Sequence, residues 1–173
     1  IVPLIKKLNK KKQYDFLITT VTSSSARLIK KLFNEKNIIH RFFPIDKPSL
    51  TFDFLNYWSP NLIVFVDSEL WPNFLLEIKR RNLPLVLLNG RITKKTFLKW
   101  KLIPSFAIRV FQTFKLCLTS NNESKKYLEI FEAKNIKYLG NLKLASENKI
   151  TNLNQFNKKK LLKSKFWCAV STH

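Results

Sequence analysis

The segment Leu62-Ile63-Val64-Phe65-Val66-Asp67-Ser68-Glu69-Leu70-Trp71-Pro72-Asn73 (LIVFVDSELWPN) decides the fold. Its first five residues are apolar and β-prone without a break. That pattern describes a strand covered on both faces, because a half-exposed strand would alternate apolar and polar positions. Two carboxylates follow at once, and then a proline suited to the first turn of a helix, where its missing N–H costs no hydrogen bond. Buried strand, polar turn and helix in that order form the repeating unit of a parallel α/β sheet.

The unit recurs in both directions. Upstream, residues 15–22 and 38–43 read as strands, with helices over 24–34 and 50–58. Downstream, strands over 85–88, 116–119 and 136–139 alternate with helices over 72–81, 93–114 (broken near Pro104) and 123–133. The expected fold class is α/β, a Rossmann-like parallel sheet with helices on both faces. From 145 to 164 the pattern lapses into Asn, Lys, Ser and Thr, and a further strand opens over 166–170. The expected organisation is one domain over 1–144, a linker over 145–164 and the beginning of a second domain over 165–173. A chain without methionine that opens in what reads as mid-helix is expected to be a fragment.

Composition narrows the classes. With 173 residues, 45% of them hydrophobic, the chain can bury a full core. Its net charge of +21 favours anionic partners: phosphates, nucleic acid or an acidic membrane surface. Coding drift toward Lys, Asn, Ile and Phe would produce the same excess, so charge alone selects none of them. Cys117 and Cys168 lie far apart in apolar runs, without metal-ligand spacing, and read as small buried hydrophobes. No run approaches the roughly 18 apolar residues of a membrane span, and the first residues resemble no signal peptide.

In an open parallel sheet, ligands sit outside the carboxyl ends of the strands. After the first strand come Thr22-Ser23-Ser24-Ser25, hydroxyls and amides at a helix start that suit an anion, or simply cap the helix. After the third come Asp67, Ser68 and Glu69. One acid there is ordinary helix capping, and a second can accept a proton or stabilise positive charge. Asn89-Gly90-Arg91 follow the fourth strand, and Gly140-Asn141-Leu142-Lys143 the last. Both glycines of the chain therefore fall at the ligand edge, where a tight turn or close backbone approach requires them.

Taken together, Glu69-Leu70-Trp71-Pro72-Asn73, Asn89-Gly90-Arg91-Ile92-Thr93, Gly140-Asn141-Leu142-Lys143 and Ser171-Thr172-His173 resemble, in order and spacing, the lipid A 3-deoxy-D-manno-octulosonic acid (Kdo) transferases of Gram-negative bacteria. The resemblance implies the N-terminal half of a GT-B glycosyltransferase, with its active site between two Rossmann-like domains. The implied reaction moves Kdo from CMP-Kdo to a lipid A precursor (lipid IVA) at the cytoplasmic face of the inner membrane, with inversion and with neither cofactor nor required metal. It assigns transition-state stabilisation to Glu69 and Lys143. The general base falls to a glutamate in an S-V-G-E-like motif expected just upstream of Ile1, and CMP binding to a C-terminal domain. Ser24, Ser25, Asn89, Arg91 and Asn141 become candidates for the acceptor side of the cleft. Three positions depart from the family pattern: Ser25 stands where glycine is usual, Gly90 replaces alanine, and Ala145 falls where aspartate is frequent.

Two other readings stay open at this level. One keeps the GT-B fold with a different nucleotide sugar. The other is a basic nucleic-acid-binding module, although no nucleic-acid motif is present and no nucleic-acid partner is expected. Residues 94–115 mix Phe97, Leu98, Trp100, Phe106, Phe111 and Phe114 with Lys94, Lys95, Lys99, Lys101 and Arg109. They suit either a core-facing aromatic stripe or contact with the inner-membrane surface.

Overall fold

The computed structural model describes residues 1–142, in the order α1 (Val2–Asn9), β1 (Phe16–Thr20), α2 (Ser23–Leu32), β2 (Ile38–Phe42), α3 (Pro48–Trp58), β3 (Ile63–Val66), α4 (Pro72–Arg80), β4 (Leu85–Gly90), α5 (Lys94–Lys101), α6 (Pro104–Phe111), β5 (Leu116–Thr119), α7 (Asn122–Ile130) and β6 (Ile136–Tyr138). The expected alternation is present throughout. The anticipated break near Pro104 separates α5 from α6, with Pro104 in the first turn of α6. The linker over 145–164 and the strand over 166–170 lie outside the described residues, as does Cys168.

Every strand pairing is parallel. The hydrogen bonds, however, divide the strands into two sheets, β1-β2 and β3-β4-β5-β6, where a single sheet was expected. Apolar runs mark strands but do not specify which of them become neighbours, so the division could not be read from the runs alone.

The main core lies around the four-stranded sheet. Phe111, Phe114, Leu75, Ile78, Leu85 and Cys117 are fully buried there. Aromatic rings do much of the filling: Phe111 stacks on Phe131 at 4.9 Å and Phe97 on Tyr127 at 4.1 Å. Burial pushes the Cys117 thiol up to about 12, so it carries no thiolate reactivity. A smaller cluster of Ile5, Ile29 and Phe33 packs α1 and α2 against Phe16, Ile18 and Ile38 of the two-stranded sheet.

Phe43, just beyond β2, lies against both Phe74 of α4 and Phe65 of β3, at 4.9 and 6.3 Å. Asp46 strengthens the same junction. Its carboxylate accepts from the main-chain N–H groups of Asn73 at 3.1 Å and Phe74 at 2.9 Å, the free donors of the first turn of α4. At the other end of α4, Glu77 accepts from Arg80 and Arg81, and Arg81 also lies over the ring of Phe52 in α3 at 4.9 Å. The hydrogen bond from Arg80, aided by that from Arg81, lowers the Glu77 carboxyl to about 2.

Because the folded value lies below the ordinary 4.5, the stabilisation from Glu77 is present above pH 4.5 and is lost as pH falls toward about 2. In Glu77→Gln the acid-side fall in melting temperature should accordingly be shallower across that window. Equal slopes in the two proteins would remove Glu77 as a contributor.

Candidate functional site

The carboxyl ends of β3, β4 and β6 are joined by one side chain. Asn89 stands at the end of β4 and is only 6% exposed. Its Nδ2 donates to Oδ1 of Asp67, the residue that follows β3. Its Oδ1 accepts from the main-chain N–H of Leu142 at 3.0 Å, in the Gly140–Lys143 stretch after β6. A single carboxamide, using a donor and an acceptor at once, brings together the segments that follow β3, β4 and β6.

The backbone around this junction is unusual. Asp67 and Asn89 adopt left-handed conformations with φ of 61° and 56°, and Gly140 has φ of 79°. Asp and Asn tolerate this region better than other side chains because they can bond locally, and glycine adopts it freely. At Asn89 the register between β4 and β5 shifts, Leu88 opposing Leu118 and Gly90 opposing Thr119. The result is a bulge, which re-aims the end of the strand. Gly90 answers a second constraint: an added Cβ would lie 2.7 Å from Cδ2 of Leu87. Arg91 donates its main-chain N–H to Asp67 O at 3.2 Å and leaves its side chain exposed.

Neither acid of the opening segment caps α4, contrary to the capping expected of them. Asp46 occupies the helix start, and its reach across 27 residues gave no local signal. Asp67 is engaged by Asn89. Glu69, exposed, accepts from Nε1 of Trp71 at 2.6 Å. The indole in turn packs on Phe43 at 5.4 Å, so Glu69 is held by a side chain anchored in the core contact. Asn73 completes the stretch by donating from Nδ2 to Asp46 O at 2.8 Å.

The serines behave differently. Thr22, not a serine, is the N-cap of α2, and its hydroxyl accepts from the Ser25 N–H at 3.3 Å. The hydroxyls of Ser24 and Ser25 bond that of Thr22 within this same turn. No hydrogen bond brings either serine to Glu69, Asn89 or Arg91. Asn141 adjoins the junction through Leu142, while Lys143 lies outside the described residues. Among the described residues no group of three His, Cys, Asp or Glu side chains gathers into a metal site.

Residues 94–115 resolve into two populations. Phe97, Trp100, Phe106, Phe111 and Phe114 belong to the main core or pack against it. The exposed apolar side chains are instead Leu98, Leu102 and Ile103, beside a lysine-rich face. An open groove of about 810 Å³ is lined by Lys94, Lys95, Leu98, Lys99, Lys101 and Leu102. It includes none of the residues around Asn89. No described helix is long and apolar enough to cross a membrane.

Substitution separates the two jobs of Asn89. Asn89→Ala should lose both side-chain bonds and meet the left-handed backbone with a Cβ, lowering stability by about 2–3 kcal/mol. Asn89→Gly should relieve the backbone and retain only the loss of bonding. In both variants the Leu142 amide should exchange hydrogen faster; unchanged exchange would dissociate Asn89 from that turn.

A profile of the family described as 3-deoxy-D-manno-octulosonic-acid transferase (kdotransferase) matches residues 1–146. The chain is 36% identical over 144 residues to the 3-deoxy-D-manno-octulosonic acid transferase of Rickettsia felis, covering 83% of this chain and 30% of that protein. It is 36% identical over 100 residues to a probable mitochondrial 3-deoxy-D-manno-octulosonic acid transferase of Arabidopsis thaliana, covering 57% of this chain and 22% of that one. With the transferase of Haemophilus influenzae the match reaches 99% of this chain and 41% of that protein, at 24% identity over 177 residues. The chain thus spans about a third of the length of the curated relatives it matches. The strand-end stretches and the profile match over 146 residues lead to one assignment: the chain belongs to the 3-deoxy-D-manno-octulosonic-acid transferase family.

Proposed function

We propose that this chain is the acceptor-side domain of a glycosyltransferase that moves Kdo from CMP-Kdo to a sugar hydroxyl of a lipid A precursor. The observation that carries the reading is the Asn89 junction. It joins Asp67, in the turn that leads into Glu69–Asn73, to the Asn89–Thr93 and Gly140–Lys143 stretches at the strand ends, where parallel sheets bind ligands.

In this reaction the acceptor oxygen forms the bond to the anomeric carbon of Kdo as the bond to the CMP phosphate breaks. The electron pair leaves with CMP and the acceptor proton passes to a base. The family resemblance puts that base on a glutamate in an S-V-G-E-like motif, which residues 1–173 do not contain. Glu69, oriented by Trp71, supplies negative charge beside the developing positive charge of the sugar. The ammonium of Lys143 stabilises the departing phosphate or the Kdo carboxylate. Arg91 and Asn141 line the acceptor side; Ser24 and Ser25 offer hydroxyls from the loop after β1. The exposed Leu98, Leu102 and Ile103 and the lysines of α5 favour an anionic lipid surface at the cytoplasmic side of the inner membrane.

In a full-length family protein carrying this domain, Glu69→Ala and Lys143→Ala should each lower CMP-Kdo-dependent transfer by about a hundredfold or more. Full activity in either variant would withdraw that residue's role. The isolated chain should be retained on phosphatidylglycerol vesicles and pass through heparin and single-stranded DNA columns at physiological salt. The reverse pattern would favour a nucleic-acid partner.

A further inference from the structure

Trp71 stands at the N-cap of α4 and does not cap it. A helix leaves its first main-chain N–H groups without partners, and the cap residue normally covers one with a hydroxyl, carboxamide or carboxylate oxygen. An indole has a donor and no acceptor, so position 71 cannot do this. Pro72 removes one orphan donor, having no N–H. The next two, on Asn73 and Phe74, donate to Oδ2 and Oδ1 of Asp46 at 3.1 and 2.9 Å.

Asp46 is itself fixed in place. Its loop runs between Pro44 and Pro48, whose rings set their own φ angles. The main-chain O of Asp46 accepts from Asn73 Nδ2 at 2.8 Å, and the same Nδ2 lies 3.3 Å from Oδ2. Three residues earlier, Phe43 packs on the indole of Trp71 at 5.4 Å and on the ring of Phe74 at 4.9 Å. Residues 43–46 therefore hold the first turn of α4 by its backbone and Trp71 by its ring.

Freed from capping, the indole donates in the other direction, from Nε1 to Oε2 of Glu69 at 2.6 Å. Residues 67–71 belong to no helix or strand, so no backbone ladder fixes the Glu69 side chain. An exposed carboxylate on such a turn otherwise keeps its rotamer freedom. Among the described residues Oε1 of Glu69 has no hydrogen-bond partner.

We propose that Asp46 is a positioning residue for Glu69. By capping α4 from a distance it releases position 71 to an indole, which holds the Glu69 carboxylate by one oxygen and leaves the other for the substrate. Asp46 touches no reacting atom and acts only through the first turn of α4 and Trp71. The assignment accordingly rests on the role proposed for Glu69.

In the isolated chain, Asp46→Ala should speed exchange of the Asn73 and Phe74 amides by about tenfold or more. It should also move the Trp71 Nε1–H proton resonance upfield, toward its position in Glu69→Ala. The milder Asp46→Asn, which keeps one accepting oxygen, should move that resonance part of the way. In a full-length family protein carrying this domain, Asp46→Ala should lower kcat about tenfold with KM little changed. Trp71→Phe, which keeps a ring on Phe43 but has no N–H, should do the same. Neither should lower kcat further once Glu69 is alanine, because residues that act through one group are not additive. A purely structural fault would instead add in full to the Glu69→Ala loss, and that result would overturn the proposal. So would a Trp71 resonance that stays in place in both Asp46 variants. An impaired Glu69→Ala beside fully active Asp46→Ala and Trp71→Phe would overturn this assignment alone. Full activity in Glu69→Ala would withdraw the role of Glu69 and this assignment with it.

Discussion

Asn89 must donate and accept at the same time, from a left-handed backbone, while almost wholly buried. The arrangement of the strand ends depends on that constraint. A carboxylate in its place would lose the donor to Asp67 and set two acids against each other. An aliphatic residue would leave the Asp67 carboxylate and the Leu142 N–H without this partner. Ser120 extends the same edge, its N–H and hydroxyl both donating to Gly90 O at 3.0 and 3.2 Å. Ser124 bonds main-chain groups of Ile92 one step further on. The candidate site is thus held chiefly by polar side chains bonded to backbone, and shape at this edge is set by hydrogen-bond direction more than by packing.

The α/β class was legible because hydrophobic periodicity is local: unbroken apolar runs such as residues 62–66 mark strands, although β3 is less covered than its run implies, with Val64 left 41% exposed. Residues 116–119 were legible for the same reason, whereas 136–139, interrupted by Lys137, were legible from their place in the alternation of strand and helix. The two glycines also pointed correctly to the strand ends, though for different physical causes. Gly140 satisfies a backbone angle, whereas Gly90 satisfies a steric one.

What sequence reading missed was non-local. Asp46 sits in Phe-Pro-Ile-Asp-Lys-Pro, a context that announces only a loop, and its partners Asn73 and Phe74 lie beyond a helix and a strand. Since Asp67 and Glu69 were nearer to α4, capping was assigned to them; the contest was decided by geometry that only the folded chain contains. The division of the sheet escaped for a related reason, as strand propensity is carried by each strand and pairing by two. The aromatic residues of 94–115 were readable in either of two ways, and the fold takes most of them inward, leaving aliphatic tips among the lysines.

Gly90 and Leu87 illustrate how such an edge constrains substitution. The missing Cβ at one position is the space that the branched side chain of the other fills, with Cγ and Cδ2 within 2.9 and 2.7 Å of where that carbon would stand. An alanine at position 90 is compatible with this backbone only if residue 87 yields volume or changes rotamer. The two positions are therefore sterically coupled, and a methyl at 90 is accommodated only together with a smaller or rotated side chain at 87.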